Sequence, residues 1–273
     1  MQSLALGPFA LSLDRLLIMI AVAVALFAGW ISSRRGGRNP EAALITIVLL
    51  ALVGARLGFV LRFGSDYLAD PLQIIDIRDG GFWWLSGVLT GALAALVYTW
   101  RQPELRRSLG IALLCGGITW GSTAIPLAQI QSSTRALPDM ALMTPQGLPV
   151  NLQDFAGRPI VLNVWASWCP PCVREMPVLE QAQHDYPQVT FLFANLGEDG
   201  ATVNAFLREL EVELEHVLLD QQNLLGEHYG SRALPTTLFI DASGQLRDSH
   251  LGELSVASLK DRLATIREPQ PPQ

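Results

Sequence analysis

The chain has 273 residues, 50% of them hydrophobic and only 16% charged, with a formal net charge of −6. The charge is unevenly divided: residues 1–131 carry +3 (10 basic, 7 acidic) and residues 132–273 carry −9 (9 basic, 18 acidic), so the polar half has the wrong sign for gripping a nucleic-acid backbone. Soluble domains are usually about 25% charged; the shortfall here lies in the first half, which argues against a chain soluble throughout and divides it into a membrane domain, 1–131, and a soluble domain, 132–273.

Four apolar stretches, 16–31, 42–61, 82–100 and 109–130, approach or reach the about 17 to 25 residues needed to cross a bilayer, which predicts an all-α domain of four transmembrane helices. A cleavable signal peptide is the competing reading of the first. The positive cluster Arg34, Arg35, Arg38 follows that stretch instead of preceding it, and no small-residue cleavage site stands out, which favours a retained span. Cytoplasmic loops collect Arg, so this cluster and Arg101, Arg106, Arg107 are expected inside. The acidic connector "FGSDYLADPLQIIDIRDGG" is then outside, and so are both termini. Arg56, near the outer end of the second stretch, is expected to snorkel to the interface, with a headgroup or partner contact as the alternative. Gly116, Gly117, Gly121 and Pro126 are expected to permit close packing and a kink. Cys115 is the only cysteine of this half, so the bundle cannot relay electrons through a disulfide of its own.

The stretches "GARLGFVLRF" and "YLADPLQIIDIRDGGFWWLSGVLTG" resemble the prolipoprotein diacylglyceryl transferases, which move a lipid glyceryl group onto a cysteine of a lipoprotein precursor. The resemblance breaks at the chemistry. Where that family carries a histidine after the Gly-Gly pair, this chain reads "GGFWWLSG", with Leu85 in its place, and all four histidines lie in the other half. The family's later helices and essential arginine are also missing from the pattern. What it implies is a catalytically silent relative serving as an anchor or docking platform in the lipid bilayer.

In the soluble half, "PIVLNVWA" (159–166) and "VTFLFANL" (189–196) are near-continuous apolar runs of the kind buried on both faces of a sheet. "TTLFIDASGQLRDSHLG" reads as strands 236–241 and 245–251 around a Ser-Gly turn. Helical patterns cover 171–186, 202–210, 224–229 and 256–266. The order strand, helix, strand, helix, hairpin, helix predicts an α/β fold with a mixed central sheet. The terminal "EPQPPQ" is expected to be disordered.

The first of these strands runs into "WASWCPPCVREMP", where Cys169 and Cys172 are separated by Pro170 and Pro171. A strand-to-helix junction puts Cys169 at a helix N-terminus, where unpaired amides and the helix dipole favour a thiolate. Cys172, one turn on, is placed to resolve a mixed disulfide. The prolines remove amides and restrict a tight loop. Zinc is the weaker alternative, because His184, His216, His228 and His250 are scattered without ligand-like pairing; a purely structural staple is the other.

The stretches "VLNVWASWCPPCVREMP", "GLPVNLQDFAGRPIV", "FANLGED" and "LPTTLFIDASGQL" closely resemble the thioredoxin superfamily in its membrane-tethered TlpA/ResA-like branch of extracytoplasmic thiol reductases. The resemblance implies a thioredoxin-like fold, with Pro235 as a cis-proline beside the cysteines and Leu234 pairing its backbone with an extended client. Thioredoxin has a buried aspartate where Asn163 stands here, and Asn163 cannot titrate. The branch instead has a glutamate in its central insert, which assigns Glu198 as acid/base, against the alternative of a solvated loop carboxylate. Glu175 is read as a helix-face residue, or else as tuning the pair. Trp168 is read as shielding the site and, with Pro170 and Pro171, offering a docking surface, a core role being the alternative; Trp165 is read as core.

The resulting expectation is a periplasm-facing, inner-membrane thiol:disulfide oxidoreductase that reduces disulfide-bearing extracytoplasmic proteins, apocytochromes c among the candidates. No cofactor beyond the Cys169–Cys172 disulfide is expected, and electrons come from a DsbD/CcdA-type transmembrane donor. The alternative is a lipid- or lipoprotein-precursor-binding membrane protein whose thioredoxin domain binds clients or protects a cysteine.

Overall fold

The computed structural model describes residues 3–6, 9–34, 38–69, 71–132, 136–231 and 233–267. The "EPQPPQ" tail lies outside them, as do Arg35 and Asp70 and the side chains of 124–135, Pro126 included. The chain divides into two compact units, Leu13–Ile77 with Gly81–Gln129, and Ile130–Gln273 with Met1–Ser12 and Arg78–Gly80. A hairpin of β1 (Ser3–Leu6) and β2 (Phe9–Ser12) precedes the helices; the sequence reading had no strands there.

The helical unit contains α1 (Leu13–Arg34), α2 (Glu41–Arg62), α3 (Gly64–Ala69), α4 (Trp84–Arg101) and α5 (Arg106–Ser132). α1, α2 and α5 contain the predicted stretches 16–31, 42–61 and 109–130, whereas α4 begins two residues inside the predicted 82–100. Among the described residues, the spans Arg15–Arg34 and Glu41–Arg62 are long and apolar enough to cross a membrane. α4 runs 18 residues and ends on Arg101, and α5 opens on two arginines. Leu57, Leu61, Leu93 and Leu114 are 52%, 82%, 62% and 64% exposed, an apolar surface suited to lipid and ill suited to water.

Small residues bring α2 and α4 together. A Cβ on Gly87 would lie 2.9 Å from the Ala55 Cβ and 3.1 Å from the Ala51 carbonyl, and one on Gly54 or Gly58 would strike Thr90 or Ser86. Both helices thus present a small-xxx-small face, which lets backbones approach where no hydrophobic effect drives association. Among the described residues of α5, Gly116 behaves as expected, facing the Ala25 Cβ at 3.0 Å, whereas a Cβ on Gly117 or Gly121 would meet no described residue within 4 Å.

Arg56 does not snorkel. It is buried, and its guanidinium donates to the carbonyls of Ile74 (3.0 Å), Gly81 (2.9 Å), Gln73 (2.6 Å) and Asp76 (2.6 Å), with the Tyr67 ring 5.3 Å away. The planar fork has donors enough to gather the turn that follows α3, and those carbonyls replace the water the charge has lost.

The second unit is built on a seven-stranded mixed sheet. Its elements are β3 (Ala141–Met143), β4 (Pro149–Asn151), β5 (Ile160–Trp165), α6 (Pro170–Asp185), β6 (Thr190–Leu196), α7 (Gly200–Leu210), β7 (Val217–Asp220), α8 (Leu224–Tyr229), β8 (Thr236–Ile240), β9 (Leu246–Leu251) and α9 (Val256–Arg267). The strand order is β4-β3-β7-β6-β5-β8-β9. β5 runs parallel to β6, β6 parallel to β7, and the remaining pairings are antiparallel. Every residue of β5 is buried, as a central strand covered on both faces requires. Its alternation sorts the two cores. Val161 and Trp165 pack with Met176, Leu179 and Leu263 of α6 and α9, whereas Ile160, Leu162 and Val164 pack with Leu225 and Tyr229 of α8. Asn163 shares the face of Val161 and Trp165, so it is aimed at α6.

Candidate active site

The loop leaving β5 ends at Cys169, which is the N-cap of α6. Pro170 and Pro171 occupy the first two helical positions, where an amide would find no partner in any case. The first amide the helix offers is therefore that of Cys172, and it donates to the Cys169 sulfur at 3.4 Å. The two cysteines form a disulfide, with Cα atoms 5.3 Å apart. Cys172 is fully buried and Cys169 is 4% exposed, whereas the neighbouring Trp168 is 65% exposed. That exposure rules out the core reading of Trp168; Trp165 is the core tryptophan, at 0%.

The peptide Leu234–Pro235 is cis. Pro235 is buried, and half-buried Leu234 packs against the apolar cluster that contains both cysteines. Trp168, Pro170 and Leu234 therefore leave apolar surface around a nearly closed disulfide.

Glu198 belongs to the loop after β6. Its carboxylate accepts from the Ser167 amide at 2.8 Å, from the Ser167 hydroxyl and from Asn195 Nδ2 at 2.7 Å. Asn195 is itself fully buried at the end of β6. These bonds tie the segment just before Cys169 to the end of the neighbouring strand.

Glu175 is fully buried, not a helix-face residue in water. Asn163 Nδ2 donates to its Oε1 at 2.8 Å and also to Thr237 Oγ1 at 2.9 Å, while the Leu254 amide donates to Oε2 at 3.0 Å. Burial pushes the carboxyl up from 4.5 to about 8; the bonds from Asn163 and Leu254 oppose the shift, and the nearby Glu253 charge adds to it. At neutral pH the oxidised site thus keeps a protonated carboxyl one turn beyond Cys172, on the same helix face. The sequence held this signal: Cys172, Met176, Leu179 and Gln183 mark the buried stripe of α6, and residue 175 falls within it by the 3.6-residue period. Asn163 cannot titrate, but it holds the group that can. Among the described residues no three His, Cys, Asp or Glu side chains gather where they could hold a metal ion.

Residues 131–263 match the Redoxin family and residues 2–123 match the prolipoprotein diacylglyceryl transferase family. Thioredoxin-like protein YneN of Bacillus subtilis is 31% identical over 138 residues, 49% of this chain and 79% of that protein. Thiol-disulfide oxidoreductase ResA of Geobacillus thermodenitrificans is 31% identical over 132 residues, 48% of this chain and 75% of that one. ResA of Geobacillus kaustophilus is 30% identical over 184 residues, 67% of this chain and 94% of that one. Likeness of this degree over three quarters or more of each relative means that the chain belongs to the ResA/TlpA-like thiol-disulfide oxidoreductases of the thioredoxin superfamily, here joined to an N-terminal region similar to a prolipoprotein diacylglyceryl transferase.

Proposed function

We propose that residues 132–273 form a periplasmic catalytic domain that reduces the disulfides of extracytoplasmic proteins, held at the inner membrane by an anchor formed of residues 1–131. The observation that carries this reading is the junction of β5 and α6, where a capping cysteine, a resolving cysteine and a buried carboxyl follow one another over the first two turns of the helix.

In the reduced protein, the Cys169 thiolate is favoured by the α6 N-terminus and by the Cys172 amide. It attacks one sulfur of a client disulfide, forming a mixed disulfide and releasing the first client thiolate. Cys172 then loses its proton to Glu175, which is ionised at this stage, and attacks the Cys169 sulfur, which releases the second client thiolate and leaves the Cys169–Cys172 disulfide beside a protonated carboxyl. Two electrons pass to the client, and the proton given up by Cys172 stays on Glu175. The raised proton affinity of Glu175 suits that role. Glu198, whose oxygens accept from Ser167 and Asn195, is read as a group that holds the loop before Cys169, with the proton step given to Glu175. Trp168, Pro170, Pro171, Leu234 and Pro235 form the client contact surface.

Turnover requires a dithiol donor to reduce the disulfide again, and a transmembrane carrier of the DsbD/CcdA type fits the anchored site. The match of residues 2–123 to the transferase family supports one further possibility for the client, a lipoprotein precursor. Replacing Cys172 with Ala leaves the mixed disulfide unresolved, so covalent partners are expected to accumulate on Cys169. Extracytoplasmic disulfide proteins in that trap support the reductase reading, lipoprotein precursors point to a cysteine-protecting role, and no covalent partner at all overturns both.

A further inference from the structure

Gly252, Glu253 and Leu254, which follow β9, reach three different parts of the site. The Gly252 amide donates to the Pro235 carbonyl at 3.0 Å. Glu253 Oε2 accepts from Arg174 Nε at 2.8 Å and pairs with its Nη2 at 2.7 Å. The Leu254 amide donates to Glu175 Oε2 at 3.0 Å, and the Leu254 side chain enters the apolar cluster that contains both cysteines. Gly252 has φ +111°, a conformation in which a side chain would be strained. This short strap thus spans the cis-proline loop, α6 and the buried carboxyl.

Two adjacent rungs join the strap to α6: Arg174 to Glu253, and Glu175 to the Leu254 amide. The outer rung is partly solvated, with side chains 43% and 20% exposed, and an ion pair in that setting adds little to stability. Its larger effect falls on its neighbour. The Glu253 charge opposes ionisation of Glu175, and the Arg174 guanidinium on the same oxygen offsets that charge. Neutral Asn163 of β5 binds Glu175 and also donates to neutral Thr237 of β8, Cys172 lies one turn back on α6, and from β9 His250 sets its Nε2 3.1 Å from the Glu253 carbonyl.

We propose that Arg174 and Glu253 are positioning residues for disulfide exchange: their pair holds the Leu254 amide on Glu175 and balances the charge that the buried carboxyl meets, so that it takes up and returns the Cys172 proton near neutral pH. The inference rests on the proton role given to Glu175 above.

The test is an infrared-monitored pH titration of the full chain in detergent, reading the carboxylic-acid C=O band that Glu175→Gln removes. Glu253→Gln is expected to lower the midpoint of that band, and Arg174→Gln to raise it, each by about half a pH unit or more. Swapping the pair, Arg174→Glu with Glu253→Arg, is expected to bring the midpoint back toward the wild-type value. Opposite shifts from the single variants are what a charge-balancing pair produces and a merely structural tether does not. Midpoints that stay fixed, or move in the same direction, overturn the strap inference while the Glu175 reading stands. A band that survives Glu175→Gln unchanged removes the proton role of Glu175, and the strap inference falls with it.

Discussion

At the scale of single residues, the buried carboxyl is where chemistry and stability meet. The folded-state pKa of Glu175, about 8, lies above its ordinary value of 4.5. Between those values the folded protein keeps a proton that the unfolded chain has released. The group's contribution to stability is therefore fully present below about pH 4.5 and is lost as pH rises through about 8. Glu175→Gln keeps an acceptor for Asn163 and Leu254 but cannot ionise. Oxidised full-length protein carrying it should unfold in urea with a midpoint that changes less between about pH 5 and about pH 9 than the wild type does, where stability should fall by several kcal/mol. An unchanged slope in the variant would assign the pH dependence to some other group. Glu175 was accessible to sequence reasoning through the stripe of α6. Its bond to Leu254 was not, because 79 residues separate the partners and only the folded sheet brings them together.

At the scale of elements, β5 and β6 were legible because a strand covered on both faces must be apolar throughout, and the runs 159–166 and 189–196 each overshoot the observed strands by one or two residues. α8 was legible at both ends, with Tyr229 closing it and Gly230 in the left-handed region beyond. The strands β3, β4 and β7 escaped notice. At three, three and four residues they are too short for a period to show, and pairing in the sheet, not local preference, makes them strands. In the helical unit, the contact of α2 with α4 depends on missing side chains. Gly87→Leu should force the two helices apart, because its Cβ alone already lies 2.9 Å from that of Ala55. Thermal unfolding in detergent is expected to show a less stable helical unit by about 1–3 kcal/mol, as for an overpacked core, while exchange with a small soluble disulfide continues. Loss of both together would mean that the helices and the redox site unfold as one cooperative body.

At the scale of the whole molecule, charge and hydropathy separate residues 1–131 from 132–273 in the sequence, because lipid and water impose opposite rules on surface residues, whereas the compact units assign residues 1–12 and 78–80 to the same unit as residues 130–273. The proposed topology, argued from the arginine distribution, sends the connector after α2 and the cysteine pair away from the cytoplasm. In intact cells whose disulfides have been reduced, a membrane-impermeant maleimide should therefore label Cys169, with Cys169→Ser removing the signal. Labelling that requires prior permeabilisation would put the site on the cytoplasmic side and leave the periplasmic assignment without support. Only the fold could reveal the role of Arg56: a basic residue in an apolar stretch suggests an interface anchor, whereas four backbone carbonyls distant in sequence turn it into an internal clamp.

Lipid-compatible helices and a dithiol site on one polypeptide restrict how the reaction partners meet. A tethered site searches a thin layer beside the bilayer instead of a volume, so its effective concentration toward other membrane-bound proteins is set by the reach of the tether and not by expression level. Cutting the chain between its two units should thus slow reactions with membrane-embedded donors far more than reactions with small diffusible disulfides, because geometry, not sulfur chemistry, is what the cut removes.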